Sequence, residues 1–143
     1  MVEQTRQAVA LMSVHPTFAQ RILRGDKRVE FRKTRFASDV SHVILYATSP
    51  VQRVVGFFEI VDVVVSTPAD LWARFKDVGG IPFRDFAQYY AGKQQAVAIT
   101  VGATMSLSQP MDLEALGLSG RPPQSFRYVG RDALEYVQQA ASA

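Results

Sequence analysis

The order of apolar runs predicts an α+β fold, a mostly antiparallel sheet flanked by several helices. Three observations carry it. Runs rich in β-branched and aromatic residues recur at 8–14, 42–48, 54–65, 95–102 and 104–107. Proline opens helical stripes near 16 and in the 67–90 region. No Gly-rich phosphate loop interrupts a strand-to-helix junction, which disfavours a doubly wound nucleotide-binding sheet.

Ala8 to Val14 is a short apolar run bounded by His15-Pro16 and reads as a buried strand. Pro16 suits the first position of a helix with Phe18, Ala19, Ile22 and Leu23 on one face and Gly25 as its stop. Lys27 to Thr34 alternates, Val29 and Phe31 to one side, Arg28, Glu30 and Arg32 to the other. Two central strands, His42 to Thr48 and Val54 to Val65, are joined by the tight connection Ser49-Pro50-Val51-Gln52.

Thr67-Pro68-Ala69-Asp70 supplies an N-cap, a first-position proline and an early acid for a helix that Gly79-Gly80 stops. Pro82 opens a second helix with Phe83, Phe86, Ala87 and Tyr90 at i, i+3, i+4 and i+7. These aromatics, with Trp72 and Phe75, read as core. Strand character resumes over Gln95 to Gly102 and Thr104 to Leu107; a loop through Gly117, Gly120 and Pro122-Pro123-Gln124-Ser125 leads to Phe126-Arg127-Tyr128 and a last helix over about 131–141.

A chain of 143 residues fits one domain, 1–143, with its core over about 9–128. The absence of cysteine excludes a disulfide scaffold, a thiol nucleophile and a thiolate zinc site, and fits a reducing compartment. The start, Met1 to Gln7, has no apolar segment behind a basic stretch, and no apolar run approaches membrane-spanning length; the expectation is a cytoplasmic protein without membrane association.

The net charge of +3 hides an uneven distribution. Residues 21–35 hold seven of the sixteen basic residues (Arg21, Arg24, Lys27, Arg28, Arg32, Lys33, Arg35) against Asp26 and Glu30, so the rest of the chain is slightly acidic. A local basic patch of this kind points to an anionic partner.

Three segments resemble the ASCH family of the PUA-like superfamily. They are Leu11-Met12-Ser13-Val14-His15-Pro16 followed by Gly25-Asp26-Lys27-Arg28-Val29-Glu30-Phe31-Arg32-Lys33; Tyr46-Ala47-Thr48-Ser49-Pro50 leading to Val55-Gly56-Phe57-Phe58-Glu59-Ile60; and Pro122-Pro123-Gln124-Ser125-Phe126. The resemblance implies a central β-barrel of about five to six strands, a cleft between barrel and helices, and RNA-linked roles. Some relatives cleave single-stranded RNA with magnesium; others are amidohydrolases acting on an acetylated cytidine nucleoside. The latter carry a threonine nucleophile where this chain has Glu30, and a carboxylate cannot take that role.

The candidate residues follow. Lys27, just beyond the glycine that ends the first helix, suits a phosphate or developing oxyanion. Glu30 and Arg32, at i and i+2 on one strand face, are placed to pair; Lys33 adds a further cation. Tyr46, Ser49 and Arg53 offer a stacking ring, a hydroxyl and a guanidinium, and the family's lysine at this connection corresponds to Gln52 or Arg53. Ser125 can donate to phosphate or ribose, and Glu59 is a further general-base candidate if burial raises its pKa. His15 and His42 have no metal-ligand spacing and read as structural. No metal is expected on protein ligands; magnesium would arrive on substrate oxygens. The expectation is binding of single-stranded RNA in a basic cleft, with magnesium-assisted cleavage; a non-catalytic RNA reader and a modified-nucleoside amidohydrolase are the alternatives.

Overall fold

The computed structural model describes residues 8–142. Its elements are β1 (Ala8–Val14), α1 (Pro16–Arg24), β2 (Val29–Arg32), β3 (Val40–Ala47), β4 (Arg53–Ser66), α2 (Pro68–Phe75), α3 (Phe83–Tyr89), β5 (Ala96–Met111), a 3-10 turn (Leu113–Leu116), β6 (Phe126–Val129) and α4 (Arg131–Ser142). The strands form one sheet in the order β2-β5-β4-β3-β1-β6, with β3 and β4 at its centre. β1 runs parallel to β3, and the other neighbours are antiparallel. The fold is therefore α+β.

Sheet curvature puts distant strands around one core. Ala10, Met12 and Val14 of β1 share an apolar cluster with Phe58 and Ile60 of β4, Val97 and Ile99 of β5, and Ala19 and Ile22 of α1. The other face of β1, Val9 and Leu11, packs with Ile44, Phe57 and the α4 residues Leu134 and Val137. Burial on both faces explains why β1 reads as a near-continuous apolar run rather than an alternating one. A third cluster joins Val29 and Phe31 of β2 to Leu71 of α2 and Phe86 of α3.

The hydrogen-bonded ladder does not close into the expected barrel: β2 and β6 are its edges. Each edge strand has only four residues, and the gap is spanned by a side chain. Arg32 at the end of β2 reaches the Ser13 carbonyl on β1 at 3.4 Å and Ser125, just ahead of β6, at 2.7 Å.

The caps of α1 and α2 form as their sequences predict. Gly25 adopts φ 88 beyond α1, and Thr67 Oγ1 accepts from the Asp70 backbone at the start of α2. Several details differ. β5 is one sixteen-residue strand rather than two pieces. It continues through Gly102, where a Cβ would stand 2.9 Å from the Glu59 carbonyl on β4. α2 ends at Phe75, before Gly79-Gly80. Phe83 is 58% exposed instead of core, while Phe86 and Tyr90 are buried. Among the described residues no helix is long and apolar enough to cross a membrane.

Candidate functional site

β1, α1 and β2 meet around a cavity of about 210 Å3. Its polar wall is Ser13, Lys27, Glu30 and Arg32; Phe18, Phe31 and Tyr89 supply aromatic surface, and Val14, His15 and Ile81 complete the lining. The volume falls below the roughly 300–1,000 Å3 of ordinary ligand pockets, a space for a small group and not for a length of chain.

Lys27 follows the left-handed Gly25 that ends α1 and is turned inward, only 2% exposed. Its ammonium donates to the Gly79 carbonyl, lies 3.8 Å from Glu30 Oε1, and sits 5.0 and 5.4 Å from the Phe18 and Phe31 ring centres. Gly80 closes over the lysine stem with φ 62, and a Cβ there would stand 2.9 Å from Lys27 Cβ. Glycine is required at that position on both counts. Burial pushes the Lys27 pKa down, opposed by the attraction of Glu30; Arg21 lowers it further.

Glu30, also buried, joins the two cations. Its Oε2 accepts from Arg32 Nη1 at 2.9 Å. Arg32 Nη2 donates to Ser125 Oγ at 2.7 Å, whereas Arg32 Nε is buried and without a hydrogen-bond partner. Because Ser125 Oγ accepts from the guanidinium, its own hydrogen is directed elsewhere. Arg32 Nε–H is thus enclosed with no acceptor from the protein, and Ser125 Oγ–H is left for a partner other than Arg32.

The basic patch is divided by the fold. Of the seven cations in 21–35, Lys27 and Arg32 line the cavity. Arg21 donates to the Gly80 carbonyl, Arg24 pairs with Asp26, Arg28 donates to the Val101 carbonyl, and Lys33 lies over the Tyr89 ring. The patch is thus an inward pair with an outer scatter.

Tyr46, Ser49, Gln52 and Arg53 fall outside this cavity. Tyr46 is buried on β3 among the residues packed on α4, and with Gln52 it lines a separate cavity of about 560 Å3 that also carries Asp112 and Glu114. Arg53 Nε pairs with Asp112 Oδ1 at 3.0 Å in an exposed ion pair. Ser49 lies in the β3–β4 turn, and Gln52 there takes φ 53. Tyr46 and Gln52 thus face one cavity, to which Arg53 is tied through Asp112, with Ser49 in the adjoining turn. Tyr46 still neighbours the main cavity through Ser13, its register partner on β1. Glu59 is exposed, opposite His42 in register, so the burial on which its general-base role depended is absent.

Sequence reasoning assigned no functional role to Ser13, Phe18 or Tyr89, and read His15 as structural. His15 does shape the start of α1, its Nδ1 accepting from the Thr17 backbone at 3.2 Å, and it also lines the cavity. Ser13 carried one available signal, as the single polar residue in an otherwise apolar strand.

The family model of the ASCH domain matches residues 12–105. The chain is 28% identical over 137 residues to the ASCH domain-containing ribonuclease of Zymomonas mobilis, spanning 93% of this chain and 92% of that protein. It is 28% identical over 128 residues to the large ribosomal subunit protein uL22 of Ureaplasma parvum, covering 89% of this chain but 40% of that protein's length. The crystal structure of ASCH from Zymomonas mobilis superposes with a TM-score of 0.83 at 27% identity, covering 92% of this chain and 94% of that one.

Proposed function

The chain belongs to the ASCH domain family, and from that premise we propose that it binds single-stranded RNA at the Lys27–Glu30–Arg32 cavity and cleaves it there. The observation that carries the reading is the pair of inward cations, Lys27 and Arg32, bridged by Glu30 on the wall of one cavity, with Arg32 also bonded to Ser125. The name of the Zymomonas mobilis relative, a ribonuclease, supports the same reading.

Donors aimed at one oxygen act where charge develops on a phosphoryl group, and they do so best where water is excluded. Arg32 contributes a full positive charge, held in orientation by Glu30. Lys27, an ammonium held by the Gly79 carbonyl and Glu30, adds positive charge beside the developing phosphorane. We assign the attack to the 2′-hydroxyl next to the scissile phosphate. Its oxygen forms a bond to phosphorus, the bond from phosphorus to the 5′-oxygen breaks, the 2′-hydroxyl proton passes to solvent, and the departing oxygen regains a proton from solvent.

The donor set does not fit a magnesium ion held by the protein. Magnesium takes oxygen ligands in octahedral geometry, and the one carboxylate lining the cavity, Glu30, is engaged with two cations. Among the described residues no three His, Cys, Asp or Glu side chains are grouped as ligands. We therefore place magnesium on the RNA's own oxygens, and no step above runs through it.

The small cavity volume favours a second reading, hydrolysis of a modified nucleoside. Salt separates the two. Binding of a strand weakens with salt at a log–log slope of roughly −0.7 for each phosphate neutralised, whereas a nucleoside gives almost none. The direct test incubates end-labelled single-stranded RNA with and without magnesium, using Lys27→Met to exclude contaminating nuclease. Products ending in a 2′,3′-cyclic phosphate, absent with the variant, are expected. RNA that stays intact with the wild type overturns the cleavage reading, and lack of binding at low salt overturns the RNA reading altogether.

A further inference from the structure

We propose that Ser13 is a positioning residue that sets Ser125 against Arg32, an inference resting on the cavity assignment above. Ser13 is buried near the end of β1, and each of its three polar groups holds a different part of the site. Its Oγ donates to the Pro123 carbonyl at 2.6 Å, and its backbone N–H donates to the Ser125 carbonyl at 2.9 Å. Its own carbonyl accepts from Arg32 Nη1 at 3.4 Å.

These bonds do more than tie a loop down. The segment 117–125 has little regular structure of its own, and Ser125 must present its hydroxyl to a guanidinium on the opposite sheet edge. Two bonds from one rigid strand residue, to carbonyls two positions apart, fix both the position and the twist of that segment. The third bond refers the guanidinium to the same strand. Ser13 thus gives Arg32 and Ser125 a common origin across a gap that no backbone hydrogen bond closes. Its neighbours Met12 and Val14 are buried in the main core, so that origin moves little. An alanine at this position keeps both backbone bonds and loses the hydroxyl bond to Pro123, which frees one end of the segment.

The test combines a substrate-free signal with a kinetic cycle. In the 15N-labelled protein, the Arg32 Nε–H signal is followed in wild type, Ser13→Ala and Ser13→Thr. The expected result is faster solvent exchange of that hydrogen in Ser13→Ala, by about tenfold, and recovery in Ser13→Thr, which keeps a hydroxyl. An unchanged signal in Ser13→Ala overturns the proposal whatever the protein does to RNA. Single-turnover cleavage is then compared for Ser13→Ala, Ser125→Ala and the double variant. Misplacement of a catalytic group by about 1 Å costs on the order of 100-fold in rate. Ser13→Ala is expected to slow cleavage by about tenfold to 100-fold, to leave the RNA concentration at half-saturation unchanged, and to add nothing to Ser125→Ala. Full additivity of the two losses overturns the proposal. A wild type that does not cleave RNA defeats the cleavage reading, and the exchange measurement then decides the role of Ser13 alone.

Discussion

Two arginine–carboxylate pairs in this protein have nearly the same length and opposite surroundings. Arg32 and Glu30 meet at 2.9 Å with side chains 11% and 7% exposed, while Arg53 and Asp112 meet at 3.0 Å with 48% and 64% exposed. Distance therefore says little about what a pair does. In the exposed pair water and salt screen the attraction, and holding two mobile side chains offsets most of what remains. The buried pair has lost its water, so each remaining polar atom matters. Glu30 is shared by two cations, the Arg32 guanidinium also serves Ser125, and the Arg32 carbonyl accepts from the Tyr90 hydroxyl at 2.7 Å. Such an arrangement is weak evidence for stability and strong evidence for a maintained geometry.

Removing one member of each pair gives the largest contrast. Glu30→Ala leaves two buried cations uncompensated and is expected to cost about 3–5 kcal/mol in urea denaturation. Asp112→Ala is expected to cost less than about 1 kcal/mol. Equal losses would erase the distinction between the two regions. A smaller effect, about 1 kcal/mol, is expected for Tyr90→Phe, which removes the hydroxyl held between the Arg32 and Val97 carbonyls.

Lys27 sharpens the contrast through pH. Its pKa is lowered in the fold, so between that value and 10.5 the unfolded chain binds the extra proton. Stability must then rise with pH across that window, because the unfolded state gives up its advantage as the solution becomes basic. Denaturation midpoints of wild type and Lys27→Met, measured from neutral pH towards pH 10, should show the wild type gaining relative to the variant. A constant difference would mean that Lys27 is not desolvated. The smallest effect belongs to the exposed region: Arg53→Ala should change the unfolding free energy by less than about 1 kcal/mol.

The strands and helices were legible because each has a local signal. Thr67-Pro68 caps α2, Gly25 ends α1, and the alternation around Glu30 puts it on one face with Arg32. The parallel pairing of β1 with β3 carried no such signal, since the intervening α1 and β2 decide it. The short turn at Leu113–Leu116 read as loop. The candidates Lys27, Arg32 and Ser125, and the pairing of Glu30 with Arg32, were read from two compact motifs. The direction of Lys27 was not, since the Gly79 carbonyl that receives it lies 52 residues further along. Tyr46 and Arg53 were placed together by their spacing around one turn; the Asp112 that holds Arg53 beside the Tyr46 cavity lies far along the chain and carried no such signal. Gly79-Gly80 was read as a helix stop; its fit over Lys27 depends on a contact that sequence order does not express.

The most direct measurement is the single-turnover rate of cleavage of a short single-stranded RNA by wild type and by Ser125→Ala, a change that removes the hydroxyl bonded to Arg32. Loss of that hydroxyl is expected to slow the reaction by about 100-fold or more, with folding stability little changed. Equal rates in the two proteins would contradict the account and place the chemistry elsewhere.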